Sequence, residues 1–343
     1  MFLSTDDIEK RLPEIANSHY SELFTHRLKK AIDQKIRSLT VKKEKVFFAD
    51  LKRKDYSLLK RIVFCKINDT AKLVRELENY PKAKYRKNKS DSKKFGDHIL
   101  DVFNYKWFTD KKSKYNAYIL AEKLGSDTCL YCNRNFTFTI RDGDHGIVRP
   151  EFDHFLPKSR FPYFSISFYN LVPSCHICNS NLKLAAEFDF RNFLHPYKND
   201  FDSIMRFTVK FRAHGLSSRN IGSYGDLLKI FYGDLDFFDV ALVPRYTSSS
   251  HLIKKAKGNI KAFYLENLYS RHKDIVAEII QNAIIYNDTR IDEIYEKYLG
   301  SLFRDRNDIL RLVTRNYAIG SEMKKRILSK LTKDVHEEFG VRY

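Results

Sequence analysis

Residues 151–183 read EFDHFLPKSRFPYFSISFYNLVPSCHICNSNLK, and this stretch places a carboxylate directly beside an imidazole. Side chains of adjacent residues on a regular strand point to opposite faces of a sheet. Asp153 and His154 can therefore act on one chemical group only if the strand ends or bends at this pair. Pro157 follows shortly after and favours such an ending, because proline cannot donate a hydrogen bond within a sheet. The stretch predicts a short strand followed by a loop.

One cysteine pair precedes this stretch and a second lies within it. Cys129 and Cys132 form one C-x-x-C pair, Cys175 and Cys178 form another, and 42 residues separate the pairs. In an intracellular chain such pairs indicate a zinc site rather than disulfides. Thiols without a metal are the alternative. Four thiolates form a closed, structural Zn²⁺ site, since they leave no coordination position for water. Cys65 lies in an apolar run and is expected to be a small buried hydrophobic residue.

The charge of the chain indicates a polyanionic partner. The 343 residues contain 62 Lys and Arg against 43 Asp and Glu, a net charge of +19. Such a surplus favours nucleic-acid binding, and a soluble protein with a lysine-rich surface is the alternative. No apolar run is long enough to span a membrane. The N-terminal residues lack the apolar core of a secretory signal. We therefore expect a globular cytoplasmic protein that does not associate with membranes.

The periodicity of apolar residues predicts a mainly α fold with a small α+β core. We divide the chain into a basic helical N-terminal region (1–120), a core with the cysteine pairs (121–200) and a helical C-terminal region (201–343). Residues 263–285 and 326–339 have long amphipathic patterns typical of helices. The core contains predicted strands at 136–140 and 147–152 around the turn sequence RDGDHG.

Two basic segments are candidates for contacts with a phosphate backbone. Residues 82–94, KAKYRKNKSDSKK, predict an exposed loop between helices, and residues 251–261 read HLIKKAKGNIK. Both could follow the backbone of a nucleic acid through sequence-tolerant, salt-sensitive contacts. For the loop, an ordinary solvated charged segment is an equally good interpretation.

The order of motifs in 151–183 resembles that of the HNH, or ββα-metal, endonucleases. These enzymes share an Asp-His pair, a loop, Asn-Leu, Cys-x-x-Cys-Asn and a lysine. The resemblance implies a two-stranded hairpin packed on a helix, which together hold one divalent ion against the scissile phosphate. It implies that Asp153 and Asn179 are oxygen ligands of that ion, that His154 is the general base, and that Asn170 holds the histidine-bearing loop in shape.

The chemistry of phosphodiester hydrolysis agrees with these residue types. Histidine has a reference pKa of about 6.5, which suits a general base that deprotonates water. Mg²⁺ or Mn²⁺ prefers oxygen ligands and retains water, so an aspartate and an asparagine can hold such an ion beside a phosphate. Thiolates suit a hard ion poorly, which separates this catalytic metal from the structural zinc.

Three further residues near the motif have weaker assignments. Lys183 could contact phosphate, although it lies one residue further from Asn179 than in the typical HNH pattern. His195, in NFLHPY, could return to the site as a ligand or phosphate contact, or could pack in its own loop. His176 lies inside the second cysteine pair and is expected to be a spectator.

A narrower resemblance covers residues 95–200. The strings FGDHILDVFNYKWF, CLYCNRNF and FLHPY are similar to the PtuB-type HNH nucleases of Septu and retron-associated anti-phage systems. That resemblance implies a PtuA-like ATPase partner and a role in antiviral defence, with DNA favoured as the substrate. The alternatives are a non-catalytic zinc-stapled module that binds nucleic acid or docks on an ATPase, and an HNH nuclease acting on RNA.

Overall fold

The protein is mainly helical. The computed structural model describes residues 10–88, 90–183, 188–212, 224–317 and 320–343. Helices account for 55% of residues and strands for 11%. Within the described ranges the strands form three separate two-stranded antiparallel sheets. These findings confirm the predicted mainly helical class with small sheets.

All the elements labelled before the first strand are helices. They are α1 (Leu12–Leu23), α2 (Lys29–Ser38), α3 (Lys42–Phe64), α4 (Thr70–Leu77), α5 (Phe95–Val102), α6 (Tyr105–Thr109) and α7 (Ala117–Leu124). A π-helical turn, Phe24–Leu28, joins α1 to α2. Pro13 lies in the first turn of α1, where its missing amide hydrogen breaks no helical hydrogen bond. Helix α3 is interrupted at 53–56, where Lys54, Asp55 and Tyr56 have positive φ angles.

The basic segment 82–94 connects α4 to α5. Apart from residue 89, which lies outside the described residues, it forms neither helix nor strand. Most of its described side chains are exposed or half-buried. The predicted exposed loop is therefore confirmed as a structural feature.

The six labelled strands form three hairpin-like pairs. They are β1 (Ile140–Asp142), β2 (His145–Val148), β3 (Glu151–His154), β4 (Leu171–Ser174), β5 (Met205–Phe211) and β6 (Phe238–Pro244). Strands β1 and β2 pair across the predicted turn, where Gly143 has a φ of +53° that favours glycine. The predicted strand 147–152 is divided, because its two ends pair with different partners, β1 and β4.

The remaining helices follow β4. A short π-helical segment, Ile177–Leu182, is called the site helix below. It is followed by α8 (Phe201–Ile204), α9 (Tyr224–Phe231), α10 (Ser250–Ala262), α11 (Leu265–Tyr269), α12 (Lys273–Ile285), α13 (Asp288–Tyr298), α14 (Arg306–Thr314) and α15 (Ser329–Glu338). The predicted helix 263–285 is divided by a tighter turn at Ser270–His272. No described helix combines the length and apolar character needed to cross a bilayer.

The chain packs as two units, each assembled from separate parts of the sequence. One unit contains Thr137–Asp189 and the described residues up to Ser126, and the other contains Asp127–Phe136 and Phe190–Tyr343. The sequence-ordered segments 1–120, 121–200 and 201–343 stay a prediction.

Aromatic packing and a buried histidine organise the unit that contains β3 and β4. Phe47 and Phe48 of α3 are buried, and the ring of Phe47 meets that of Phe95 edge-on at 5.7 Å. His19 of α1 is fully buried. Its Nδ1 lies 2.8 Å from the hydroxyl of Tyr115 and its Nε2 lies 2.8 Å from the carbonyl oxygen of Ile166. A neutral imidazole satisfies both contacts, accepting at Nδ1 and donating at Nε2.

In the other unit, the β5–β6 hairpin packs on α15. Asp334 of α15 is buried and accepts a hydrogen bond from the backbone amide of Phe207 at 2.8 Å. Lys330 pairs with the same carboxylate at 2.8 Å, and Arg245 of the hairpin pairs with it at 2.9 Å. The buried charge is therefore matched by two cations, as a stable buried carboxylate requires.

Candidate active site and metal centre

The four predicted cysteine ligands lie together. The sulfur atoms of Cys129, Cys132, Cys175 and Cys178 all lie within 4.8 Å of one another, and all four residues are buried. Tetrahedral Zn²⁺ with bonds of about 2.3 Å separates its sulfur ligands by about 3.8 Å. The predicted grouping is confirmed, and its geometry and soft donors fit a metal ion such as zinc.

The fifth cysteine is not part of this cluster. Cys65 is buried, and its sulfur lies 3.4 Å from the hydroxyl oxygen of Thr70. Burial raises the pKa of the Cys65 thiol to about 12. The thiol therefore stays protonated and unreactive near neutral pH, in agreement with its predicted role as a small core residue.

The backbone after the first cysteine pair turns sharply. The amide of Asn133 donates to the carbonyl oxygen of Cys129 at 2.8 Å, and Asn133 has a φ of +52°. The amide of Arg134 then points at the sulfur of Cys132, 3.4 Å away. The turn thus directs a backbone donor at one sulfur of the cluster.

Strand β3 carries the Asp-His pair. It pairs with β4 in the register Glu151↔Ser174 to His154↔Leu171, so the strand continues through His154 and ends there. The side chains of Glu151 and Asp153 contact the site helix and the residue after it. Phe152 and His154 pack against rings of α6. Asp153 and His154 thus have different neighbours, as strand alternation requires.

Asp153 forms a buried ion pair with Lys183. The ammonium nitrogen lies 2.8 Å and 2.6 Å from the two carboxylate oxygens, and the two side chains are only 8% and 5% exposed. The ammonium group also donates to the carbonyl oxygens of His154 and Phe155. Burial lowers the pKa of Lys183, while the charge of Asp153 opposes that shift. Lys183 is enclosed by protein in this arrangement, and its possible contact with phosphate stays a prediction.

Glu151 organises a second polar cluster on the same face of β3. Its carboxylate accepts hydrogen bonds from His176 Nδ1 at 2.7 Å, Asn179 Nδ2 at 2.8 Å and Ser180 Oγ at 2.8 Å. Burial raises the pKa of Glu151, but the three hydrogen bonds outweigh burial, and the pKa lies below its usual value. Glu151 therefore stays ionised and fixes the first turn of the site helix against β3.

Sequence reasoning did not assign a role to Glu151, and it treated His176 as a spectator. Two periodicities could have revealed the cluster. Residues 151 and 153 lie two apart on a strand and share a face. Residues 176, 179, 180 and 183 share one face of a helix by their spacing of three and four. Both faces carry polar side chains, which indicates that they meet.

His154 is held in one tautomer. Its Nε2 lies 2.8 Å from the carbonyl oxygen of Ser165, and its ring meets that of Tyr105 edge-on at 4.5 Å. A carbonyl oxygen can only accept, so Nε2 carries the hydrogen and Nδ1 keeps its lone pair. Burial lowers the pKa of His154 to about 3. The imidazole is therefore neutral at pH 7, with Nδ1 as its proton acceptor.

Asn170 fixes the loop that follows His154. Its Oδ1 accepts from the backbone amide of Leu156 at 2.7 Å, and its Nδ2 donates to the carbonyl oxygens of Leu156 and Phe164 at 3.1 Å and 3.0 Å. Its backbone oxygen accepts from the amide of Phe155 at 2.9 Å. The side chain is buried. Asn170 thus replaces the backbone hydrogen bonds that the loop lacks after β3 ends.

The proposed ligands of a divalent ion are engaged elsewhere in this arrangement. The oxygen donors of Asp153 and Asn179 suit Mg²⁺ chemically. However, the ammonium group of Lys183 already contacts both oxygens of Asp153. Asn179 uses its amide nitrogen toward Glu151, and this contact does not involve its oxygen. The pair as arranged does not fit an ion unless Lys183 withdraws. The convergence of Asp153 and Asn179 on one ion stays a prediction.

His195 occupies its own loop. It is buried, and its Nδ1 accepts a hydrogen bond from the backbone amide of Tyr197 at 3.1 Å. Its ring stacks on Phe190 with the centroids 5.7 Å apart. These contacts correspond to the packed-loop alternative, so His195 is not placed among the candidate catalytic residues.

No family model, curated protein or solved structure matches the chain. The class that the structure itself defines is a mainly helical protein with a buried four-cysteine cluster that could hold a metal ion. Any statement about its activity therefore rests on the residues around β3, β4 and the site helix.

Proposed function

We propose that the protein is a metal-dependent HNH endonuclease that hydrolyses phosphodiester bonds in DNA. The observation that carries this proposal is the tautomer of His154, the last residue of β3. Its Nε2 is hydrogen-bonded to the carbonyl oxygen of Ser165. The anchor leaves Nδ1 as a proton acceptor directly after Asp153. The order hairpin, cysteine pair and short helix is the order that the HNH resemblance implies.

In this proposal His154 deprotonates the attacking water. A neutral imidazole with its hydrogen fixed on Nε2 can take a proton only at Nδ1. Its low pKa makes it a weak base in the free protein, but a bound phosphodiester brings a negative charge that favours the protonated imidazole and raises that pKa. Asn170 has a positioning role, because it fixes the backbone between His154 and Ser165.

In this proposal, cleavage requires a divalent ion. When bound, Mg²⁺ or Mn²⁺ would stabilise negative charge on the phosphate oxygens. Because Lys183 holds both oxygens of Asp153, we assign no catalytic step to the ion. The zinc ion would have a separate, structural role at the four cysteines.

The charge of the chain supports a nucleic acid as the substrate. The net charge is +19, and the candidate contact segment 251–261 lies within α10, with Lys254, Lys257 and Lys261 exposed. We propose DNA as the substrate and cleavage in concert with a PtuA-like ATPase in antiviral defence, in line with the narrower resemblance.

Cleavage of defined substrates tests the proposal. Zinc-loaded full-length protein is incubated with supercoiled plasmid or with tRNA, with Mg²⁺, with Mn²⁺ or without a divalent ion. Omitting the ion is a better control than EDTA, which would also remove zinc. We expect plasmid cleavage only with the ion. Cleavage of tRNA alone would favour the RNA alternative. Binding without cleavage, even with the ATPase present, would favour the non-catalytic module.

A further inference from the structure

A cavity of about 500 Å³ lies beside α2 and α6, outside the cluster around β3. Its lining includes Arg27, Lys30 and Lys35 from the α2 side, together with Asp101 and Trp107. Three cations against one carboxylate give the cavity a positive potential, which concentrates anions. A cavity of this size accommodates a phosphate group with part of its sugar.

The carboxylate in this cavity is already paired with two lysines. Asp101 pairs with Lys35 at 2.7 Å, and Lys93 donates to both of its oxygens at 2.8 Å. These two ammonium groups lower the pKa of Asp101, although burial opposes them. The positive charges of Arg27 and Lys30 therefore remain in excess at the cavity.

Arg27 has hydrogen-bonding capacity that its surroundings do not use. One terminal nitrogen donates to the backbone oxygen of Asp101 at 2.8 Å, and the guanidinium lies over the ring of Trp107 at 5.1 Å. Its Nε is buried without an acceptor in the part of the chain that the structure describes. A buried unpaired donor is energetically costly, because it has lost its hydrogen bond to water. A shift of the guanidinium toward an anion in the cavity would give this nitrogen an acceptor.

Helix α6 connects this cavity to His154. Trp107 of α6 lines the cavity, and Tyr105 of the same helix meets the ring of His154 at 4.5 Å. Residues two apart on a helix point to nearly opposite sides, about 10–12 Å from each other. The cavity and His154 therefore lie on different sides of α6.

We propose that this cavity binds a backbone phosphate of the nucleic-acid substrate, at a position separate from the bond that is cleaved. Arg27 and Lys30 supply the contacts, and the stacked Trp107 holds the guanidinium in place. The choice of a phosphodiester backbone rests on the proposed nuclease function, whereas the preference for a phosphate anion rests on the cavity itself.

The test is binding of a fluorescein-labelled 20-base-pair DNA to the zinc-loaded full chain without added divalent ion, so that no cleavage occurs. Kd is measured by anisotropy over a series of KCl concentrations for wild type, Arg27→Gln, Lys30→Gln and the control Lys72→Gln. Lys72 is exposed on α4 and lines a different cavity. Zinc content and Tm identify any variant that fails to fold, and Lys30, which is exposed, has no structural role to lose.

We expect Arg27→Gln and Lys30→Gln each to weaken binding about tenfold and to reduce the salt slope by about one, with Lys72→Gln within twofold of wild type. Affinities and slopes equal to the control in both variants would overturn the assignment, even if wild type cleaves DNA. ATP that competes at micromolar concentration, and does so only with Arg27 intact, would also overturn it in favour of a nucleotide site. The expected loss of binding in a protein that cleaves nothing would support the cavity and contradict the nuclease.

Discussion

The ammonium nitrogen of Lys183 lies 2.6 Å from one oxygen of Asp153 and 2.8 Å from the other, and both side chains are nearly buried. The HNH resemblance implies that Asp153 binds a divalent ion. In this structure the positive charge beside that carboxylate comes from Lys183. Each carboxylate oxygen keeps a second lone pair, but the ammonium charge beside both oxygens repels a divalent ion. We therefore expect an ion to bind at Asp153 only after Lys183 moves away.

Removing the lysine tests this relationship without measuring catalysis. Lys183→Met removes the ammonium group that pairs with the buried carboxylate of Asp153, and we expect a loss of about 3–5 kcal/mol in the free energy of unfolding. If Asp153 can hold an ion, millimolar Mn²⁺ should raise the Tm of Lys183→Met by several degrees and leave the wild-type Tm nearly unchanged. Thermal unfolding with and without Mn²⁺ measures both effects.

The control for that experiment is Lys158→Met, because Lys158 is a nearby exposed lysine. Its substitution should change stability by less than about 0.5 kcal/mol. The double variant Lys183→Met/Asp153→Asn should lose the response to Mn²⁺. An equal Tm increase in the double variant would show that the ion acts elsewhere.

The cysteine cluster predicts a coupling between zinc content and stability. Cys175→Ser removes one of four sulfur donors, so we expect a loss of bound zinc and of several kcal/mol of stability, since metal binding and folding are coupled. Zinc is measured by elemental analysis and stability by urea unfolding. Cys65→Ala, which alters a buried thiol outside the cluster, should keep its zinc. A Cys175→Ser protein with full zinc and unchanged unfolding would contradict the assignment.

The buried His19 predicts a loss of stability in mild acid. Burial lowers its pKa to about 4, whereas the unfolded chain has the reference value of about 6.5. Between these values the unfolded state binds a proton that the folded state excludes, so stability falls as the pH decreases from 6.5 to 4 and is retained above 6.5. Between pH 7.5 and pH 4.5 we expect the free energy of unfolding to fall by about 2–3 kcal/mol.

Urea unfolding of wild type and His19→Gln at both pH values isolates this contribution. Glutamine does not titrate, so the variant should lose less stability between pH 7.5 and 4.5, while acid release of zinc affects both proteins alike. Equal losses in the two proteins would show that His19 does not control the acid response.

The hydrogen bonds of Asn170 to the loop after His154 lead us to expect a positioning effect on cleavage. Asn170→Ala removes the acceptor of the Leu156 amide and one donor to each of the carbonyl oxygens of Leu156 and Phe164, at a cost of about 2–3 kcal/mol. We expect the cleavage rate at saturating DNA to fall at least tenfold while Kd for DNA stays within twofold. The exposed Asn17 provides the matched control, and Asn17→Ala should preserve both values. An unchanged rate in folded Asn170→Ala would remove the positioning role.

Much of the architecture could be predicted from local patterns. The spacing of apolar residues indicated the helices, and the two C-x-x-C pairs indicated a four-cysteine cluster, because both signals depend on residues near one another in the sequence. The D-G turn was equally local. The division of residues 147–152 between two sheets was not predicted, since strand pairing depends on partners far along the chain.

The sequence indicated which residue types form the site, but not which of their side chains contact one another. The sequence indicated that Asp153, His154 and Asn170 are important, yet it did not show that Lys183 would neutralise Asp153. That ion pair depends on the exact rotation of the site helix relative to β3. The contact of Arg27 with the backbone of Asp101 joins residues far apart in the sequence and has no local signal at all.

The cleavage rate of His154→Gln tests the central claim most directly. Glutamine can still donate to the Ser165 carbonyl but has no titratable lone pair. The control is His145→Gln, at an exposed position where β2 begins. Single-turnover cleavage of DNA with Mg²⁺ is compared at equal zinc content and Tm. The proposal predicts a rate about 10²–10⁴-fold below wild type for His154→Gln and a wild-type rate for His145→Gln. A His154→Gln rate within threefold of wild type would contradict the assignment of His154 as the general base.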